Sequence, residues 1–139
     1  MDMFDNYPSP EGYIPDNREV PFENYGLTIM AGETASHSFD IPFDVNEDCN
    51  GVEIIYKLGL TVVLTKIPNS GNIAVIRDDS GEFCYTNITV VLSEEETLLF
   101  KDTLLDAFVQ LKFIMKDNSI QYSEICPITI EDALDVTTE

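Results

Sequence analysis

The chain has 139 residues, 44% of them hydrophobic, and carries 26 acids against 7 bases for a formal charge of −19. That hydrophobic content is ordinary for a globular domain and excludes a wholly disordered chain. The acid excess repels phosphate backbones and anionic lipid, which argues against direct nucleic-acid binding and against a membrane-surface role. No apolar run approaches the roughly 20 residues that a membrane-spanning helix needs. The N-terminus places acids where a secretory signal places bases, and it lacks an apolar stretch, so a cytoplasmic site of synthesis is expected. Cys49, Cys84 and Cys126 are odd in number and contain no C-x-x-C pair, which fits a reducing compartment without a disulfide framework. Cys84 and Cys126 lie in strand-like runs and are expected to act as small core hydrophobes.

Residues 1–26 differ from the rest. Pro8, Pro10, Pro15 and Pro21 alternate with Phe4, Tyr7, Tyr13, Phe22 and Tyr25. Proline fixes φ, removes a donor and biases its predecessor toward extended backbone. The segment therefore reads as an extended arm, and residues 27–139 as one domain. Disordered linkers are poor in aromatics. Phe4, Tyr7, Tyr13, Phe22 and Tyr25 are thus candidate partner-binding residues of an arm that docks on a neighbour.

From Leu27 onward the pattern is β. Leu27–Met30 is a short candidate strand. In Thr34–Phe43, Ala35, His37, Phe39, Ile41 and Phe43 share one face and Ser36, Ser38 and Asp40 the other. Pro42 places the end of that strand, or a sheet edge, nearby. Asp44–Gly51 reads as a polar loop. Gly51–Leu58 and Leu60–Ile67 form a tight hairpin about Gly59. Pro68–Gly71 is a turn, Asn72–Arg77 a short strand and Asp78–Gly81 a second turn. Phe83–Leu92 is a strand. Ser93 then heads Ser-Glu-Glu-Glu, a capping box in which its hydroxyl accepts from a backbone N–H three residues on and Glu96 reaches back. Leu105–Lys116 is expected as the longest strand, with Val109, Leu111, Phe113 and Met115 on one face. Asp117–Ser119 reverses the chain into Ile120–Ile130, where the apolar parity shifts around Glu124–Pro127 and predicts a bulge. Glu131–Leu134 reads as one helical turn. About seven to eight short strands with regular turn signals indicate an all-β chain, a single β-sandwich of immunoglobulin-like or jelly-roll-like kind with one short helical turn.

The chemistry-bearing residues do not assemble into a reaction. His37 is the only histidine, so a catalytic triad or a two-histidine metal site within one chain is excluded. On the apolar face of its strand it reads as a satisfied, half-buried core histidine. Asp44-Val-Asn46-Glu-Asp48-Cys-Asn50-Gly51 begins like a calcium loop, but its glycine comes late and Ile55 stands where a bidentate glutamate belongs. Glu94, Glu95 and Glu96 are consecutive and point in different directions, so they do not converge on a substrate. Asn87-Ile-Thr89 matches a glycosylation sequon inside a strand, in a chain with no secretory signal. The reading is a non-enzyme with no cofactor and no metal.

The stretch from Val52 to the end resembles small structural proteins encoded by tailed phages and prophages of gut and other low-GC bacteria. The resemblance rests on Val91-Leu92-Ser93-Glu94-Glu95-Glu96-Thr97-Leu98-Leu99-Phe100, then Val109-Gln110-Leu111-Lys112, Asp117-Asn118 and Ile125–Ile130. Ser93 replaces the usual threonine and keeps the capping hydroxyl, and Glu94 replaces the usual glutamine. Tyr7-Pro8 and Tyr13-Ile14-Pro15-Asp16-Asn17 are similar to the openings of such proteins. The resemblance implies a virion component of the neck, baseplate or capsid, made in the host cytoplasm, that binds other virion proteins and itself and has no catalytic residues. Two alternatives remain open. One is an early phage inhibitor that mimics DNA with its acids to occupy a host nucleic-acid-binding protein. The other is a sugar- or calcium-dependent adhesion module.

Overall fold

The computed structural model describes residues 23–24 and 27–131. The candidate arm residues Phe4, Tyr7, Tyr13, Phe22 and Tyr25, and the expected turn beyond residue 131, lie outside that range. Glu131 itself closes a strand and does not open a helical turn.

Two sheets stack face to face, as the alternating pattern predicts. The four-stranded sheet has the order β1 (Glu23–Asn24), β3 (Ala35–Ile41), β7 (Cys84–Leu92), β6 (Ile73–Arg77). The larger sheet runs β2 (Thr28–Met30), β10 (Cys126–Glu131), β8 (Ala107–Met115), β4 (Cys49–Leu58), β5 (Thr61–Lys66), with β9 (Ile120–Tyr122) also paired to β8. All pairs are antiparallel except β2 with β10. That parallel pair brings the first strand of the large sheet beside the last, a closure that local pattern does not reveal.

The inward sets are those that the period of two picks out. Val52, Ile54, Tyr56 and Leu58 of β4 and Ala107, Val109, Leu111 and Phe113 of β8 face Phe39 and Ile41 of β3 and Ile88, Val90 and Leu92 of β7, all buried. Phe43 meets Phe113 edge-on at 5.4 Å between ring centres. Phe100 closes one end and is fully buried.

Three of the crossings between sheets are made by short helical turns, each capped by a side chain just before it. Between β3 and β4 lies α1 (Val45–Asp48), with Asp44 accepting from the Glu47 N–H at 3.0 Å. This corrects the expectation of a polar loop over residues 44–51. Asp44 is buried and Val45 joins the core, while Cys49–Gly51 already belong to β4. Between β5 and β6, Asn69 caps a 3₁₀ turn over Ser70–Asn72. Between β7 and β8, Ser93 caps α2 (Glu94–Thr97), followed by a 3₁₀ turn over Leu98–Phe100.

Other differences have local causes. β4, not β8, is the longest strand, because the turn before it ends early and the Leu105–Asp106 stretch stays outside β8. The expected final strand is two strands. Ser123 pairs with Leu111 through its N–H, and Cys126 pairs with Val109, so Glu124 and Ile125 together oppose Gln110. That extra residue is the bulge that the parity shift predicts. Gln110 donates its side-chain amide to the Ser123 carbonyl at 2.9 Å and fills the gap. Cys126 is buried as expected, but Cys84 at the start of β7 is only half-buried and does not join the core.

The hairpin about Gly59 is present. Leu58 pairs with Thr61, leaving a two-residue turn whose Gly59 has φ +60°. Only the first turn residue needs positive φ, and glycine adopts it without steric cost. At the β8–β9 turn Asn118 takes φ +70°, a conformation that asparagine tolerates.

Candidate interaction surfaces

The single histidine is part of the scaffold. His37 on β3 is buried and reaches across the sandwich, with Nδ1 2.8 Å from the Tyr56 hydroxyl on β4 and Nε2 2.8 Å from the Thr28 carbonyl on β2. A carbonyl only accepts, so Nε2 carries the proton and donates. In the neutral ring Nδ1 then accepts from the Tyr56 O–H. Burial lowers the His37 pKa from its ordinary value, with the hydrogen bond to Thr28 opposing, and raises that of the Tyr56 hydroxyl. The ring therefore staples both sheets in its neutral form. It is buried, not half-buried as expected, because Tyr56 covers it from the opposite sheet.

Ser93 and Glu96 form the capping box that their spacing predicts. The Glu96 N–H donates to Ser93 Oγ at 3.1 Å and the Ser93 N–H to Glu96 Oε1 at 2.9 Å. Spacing did not reveal Lys66, whose Nζ lies 2.9 Å from both Glu96 oxygens and ties β5 to the cap. The Lys66 ammonium first, and the Ser93 N–H second, hold the Glu96 carboxyl below its usual range. Thr97 links further, accepting from the Gly32 N–H at 3.0 Å.

The acids that begin like a calcium loop are committed elsewhere. One Asp44 oxygen takes the Glu47 N–H, and the other pairs with the Arg77 guanidinium. Arg77 also lies 3.7 Å from Glu47. Burial and the neighbouring Asp44 and Glu47 charges raise the Asp48 pKa. Among the described residues, no group of three or more His, Cys, Asp or Glu side chains is placed to share a metal ion. The sequon residue Asn87 spends its amide on Ser38 and Asp40, each at 2.8 Å, on the outer face of the four-stranded sheet. None of the described helices is long and apolar enough to cross a membrane.

Exposed large apolar side chains gather on two surfaces, with Ile67, Ile76, Phe83 and Val91 exposed elsewhere. The first is an end of the sandwich. Leu58, Ala107 and Ile128 share a rung of the large sheet. Beyond it, the Gly59 N–H donates to the Asp106 carbonyl at 2.8 Å, joining the hairpin tip to the loop before β8. Leu60 (99% exposed), Leu104 and Leu105 project there, and Leu98 and Leu99 of the 3₁₀ turn are about half exposed. Leu98 and Ile130 border a shallow cleft of about 390 Å³ with Ala31, Lys101, Asp102 and Glu131. No catalytic grouping converges in it.

The second surface is the outer face of the large sheet. Register sets four rows across it. Val62, Lys57, Phe108 and Pro127 form one, and Thr65, Ile55 and Gln110 the next. Glu53, Lys112 and Tyr122 form a third, and Gly51, Ile114 and Ile120 the last. Val62, Tyr122 and Ile120 are exposed, and Ile55, Phe108 and Ile114 are half-buried. Lys112 lies 4.0 Å from Glu53. The opposite face of the molecule, on the four-stranded sheet, carries Ser36, Ser38, Asp40, Asn87 and Thr89, partly bonded to each other, with Val91 and Ile76 exposed beside them.

No family model matches the chain, and no curated protein matches it.

Proposed function

We propose that this chain is a non-enzymatic structural component of a phage virion, of the neck, baseplate or capsid-associated kind, which binds neighbouring subunits partly through its N-terminal arm. The observation that carries the reading is the leucine-bearing end of the sandwich. Five leucines from the hairpin tip and the β7–β8 connection are exposed, while the buried polar residues His37, Asp44, Thr86, Thr97, Gln110 and Ser123 each have a hydrogen-bond partner. A chain that completes its own core and still exposes grouped large apolar side chains is built to contact another protein. Support also comes from the resemblance carried by Leu92–Thr97 and from the composition of residues 1–26. Such an arm gains affinity by burying aromatics, while prolines lower the cost of ordering it.

The test is quantitative mass spectrometry of purified particles of the encoding phage beside infected-cell lysate. A fixed stoichiometry in particles is expected, and its value points to neck, baseplate or shell. Absence from particles combined with early abundance in lysate rejects the reading and favours the DNA-mimic alternative. That alternative requires carboxylates spaced like phosphates along one face, whereas the acidic clusters here lie on separate turns at 44–48, 78–82 and 94–96.

A further inference from the structure

We infer that the open edge of β6, Ile73–Arg77, is where two copies of this chain pair, antiparallel about Val75, so that their four-stranded sheets run into one. This gives the self-association in the proposed function a surface, and rests on that reading only there, because the pairing is a property of the purified chain.

Sheet edges present unpaired N–H and C=O groups, and proteins blunt them with short strands, bulges, prolines or charges. Among the described strands, β1 has 2 residues, and β2 and β9 have 3 each. The β5 edge is longer, but its register with β4 shifts after Tyr56 and leaves Val63 as an extra residue. By contrast, β6 has 5 residues in unbroken register with β7 and no proline, and its one charge, Arg77, is taken up by Asp44. The Asp78 N–H donates to the Phe83 carbonyl just beyond that register. Bonded and unbonded positions alternate in an antiparallel pair, so Ala74 and Ile76 bond to β7 while Val75 and Arg77 turn their backbone groups to the open edge. Ile73 turns its carbonyl the same way, and its N–H is spent on the Ser70 carbonyl.

A second copy's β6 complements this edge in hydrogen bonding, shape and charge. With Val75 opposite Val75, each Val75 N–H meets the other's carbonyl, and each Arg77 N–H meets the facing Ile73 carbonyl. Ala74 then stands opposite Ile76, small against large, on the outer side, where both are exposed. Two chains at −19 repel over most of their surfaces. Yet no acid occurs between Glu53 and Asp78, in a chain with 26 acids. The antiparallel sense lays the acidic turn at 78–82 of each copy beside the acid-free connection at 68–72 of the other, next to Lys66. A parallel sense would set one acidic turn on the other. The remaining stretches of the chain itself match less well. Residues 1–22 lose donors at Pro8, Pro10, Pro15 and Pro21, and residues 132–139 bring Asp132, Asp135 and Glu139 toward the acidic turn. A peptide must also be ordered as it pairs, whereas β6 is already a strand held by β7.

The test is sedimentation equilibrium of the full-length chain beside residue-resolved amide exchange by NMR, in about 0.3 M salt to screen the acid excess. A dimer with a dissociation constant of about 1–100 μM is expected, as for a small interface. Above that concentration, exchange at Val75 and Arg77 should slow at least tenfold, while Ala74 and Ile76 are protected in monomer and dimer alike. Charge at the two exposed positions tests the register. A chain with Ala74→Lys and Ile76→Lys, and another with Ala74→Glu and Ile76→Glu, should each be monomeric alone and should pair when mixed. A parent chain that stays monomeric up to about 1 mM overturns the proposal. So does a dimer in which Val75 and Arg77 still exchange freely, or protection of both amides in the dilute monomer, which would mean that the chain's own residues cover the edge. Charged variants that dimerise alone, or that ignore each other when mixed, overturn it as well. Particle composition is measured separately. A chain present in particles whose β6 edge stays open sinks the pairing and leaves the virion reading standing. A chain that pairs through β6 but is absent from particles sinks the virion reading alone.

Discussion

Replacing Tyr56 by phenylalanine removes one oxygen atom from the centre of the sandwich and isolates the contribution of the histidine staple. The ring stays, with its edge-on contact to Phe100 at 6.3 Å between centres. What is lost is the O–H that donates to His37 Nδ1 at 2.8 Å. Nδ1 is then a buried acceptor without a donor, which costs about 1–3 kcal/mol. With a urea m-value of about 1–3 kcal/mol per molar, the midpoint should fall by roughly 1 M. His37→Leu should cost at least as much, because it orphans the Thr28 carbonyl as well. The double variant should be less destabilised than the sum of the two, with a coupling of about 0.5–3 kcal/mol, since both members of one hydrogen bond leave together. The pH dependence gives a second readout. Burial lowers the folded-state His37 pKa below the unfolded value of 6.5. As pH falls below 6.5 the unfolded chain takes up the proton first. The stability from keeping the ring neutral is complete above that pH and lost as pH falls toward the folded pKa, at no more than about 1.4 kcal/mol per unit. His37→Leu should lack this slope, and the difference between the two curves removes the broader effect of the acid excess. A Tyr56→Phe midpoint within about 0.5 kcal/mol of the parent, together with parallel pH curves for the parent and His37→Leu, would refute the staple.

Further predictions follow from the caps, the hairpin and the thiols. Ser93→Ala should cost about 1 kcal/mol in equilibrium unfolding, because the Glu96 N–H loses its acceptor. Gly59→Ala should cost about 1–2 kcal/mol, since φ is +60° while the added carbon meets Leu105 only at an ordinary contact distance of 3.6 Å; no change in the midpoint would contradict the turn geometry. Under a limiting thiol reagent Cys84 should react first, as the half-buried one, and Cys49 should wait for unfolding, being buried with its pKa pushed up to about 11. Peptide mapping that found Cys49 labelled before Cys84 would count against the packing of α1 on β4. Leu60→Ser with Leu104→Ser should leave stability within about 0.5 kcal/mol, because both side chains are exposed, while incorporation into particles is lost.

The sequence by itself determined the alternation of faces, and with it most of the fold. His37, Phe39 and Ile41 on one side of β3, and Ser36, Ser38 and Asp40 on the other, follow from a period of two that neighbouring strands cannot alter. The same holds for the Ser93–Glu96 box and the Gly59 hairpin, because each is made within a few residues of chain, and for the parity shift around Glu124–Pro127 that marks the bulge, though not for Gln110 as its partner. The α1 turn was hidden because the burial of Asp44 and Val45 depends on Arg77 and Thr86, far away in sequence. Only the tertiary structure decided that β2 closes the large sheet in parallel with β10, that Lys66 reaches Glu96, and that Tyr56 meets His37. Each joins residues whose separation carries no local signal. The candidate surfaces divide in the same way. The aromatic and proline content of residues 1–26 is legible in the sequence. The rows that set Lys57 and Lys112 among Val62, Ile55, Phe108 and Ile114 exist only once register fixes which strands lie side by side, since alternation says which face a residue takes but not which neighbour it meets there.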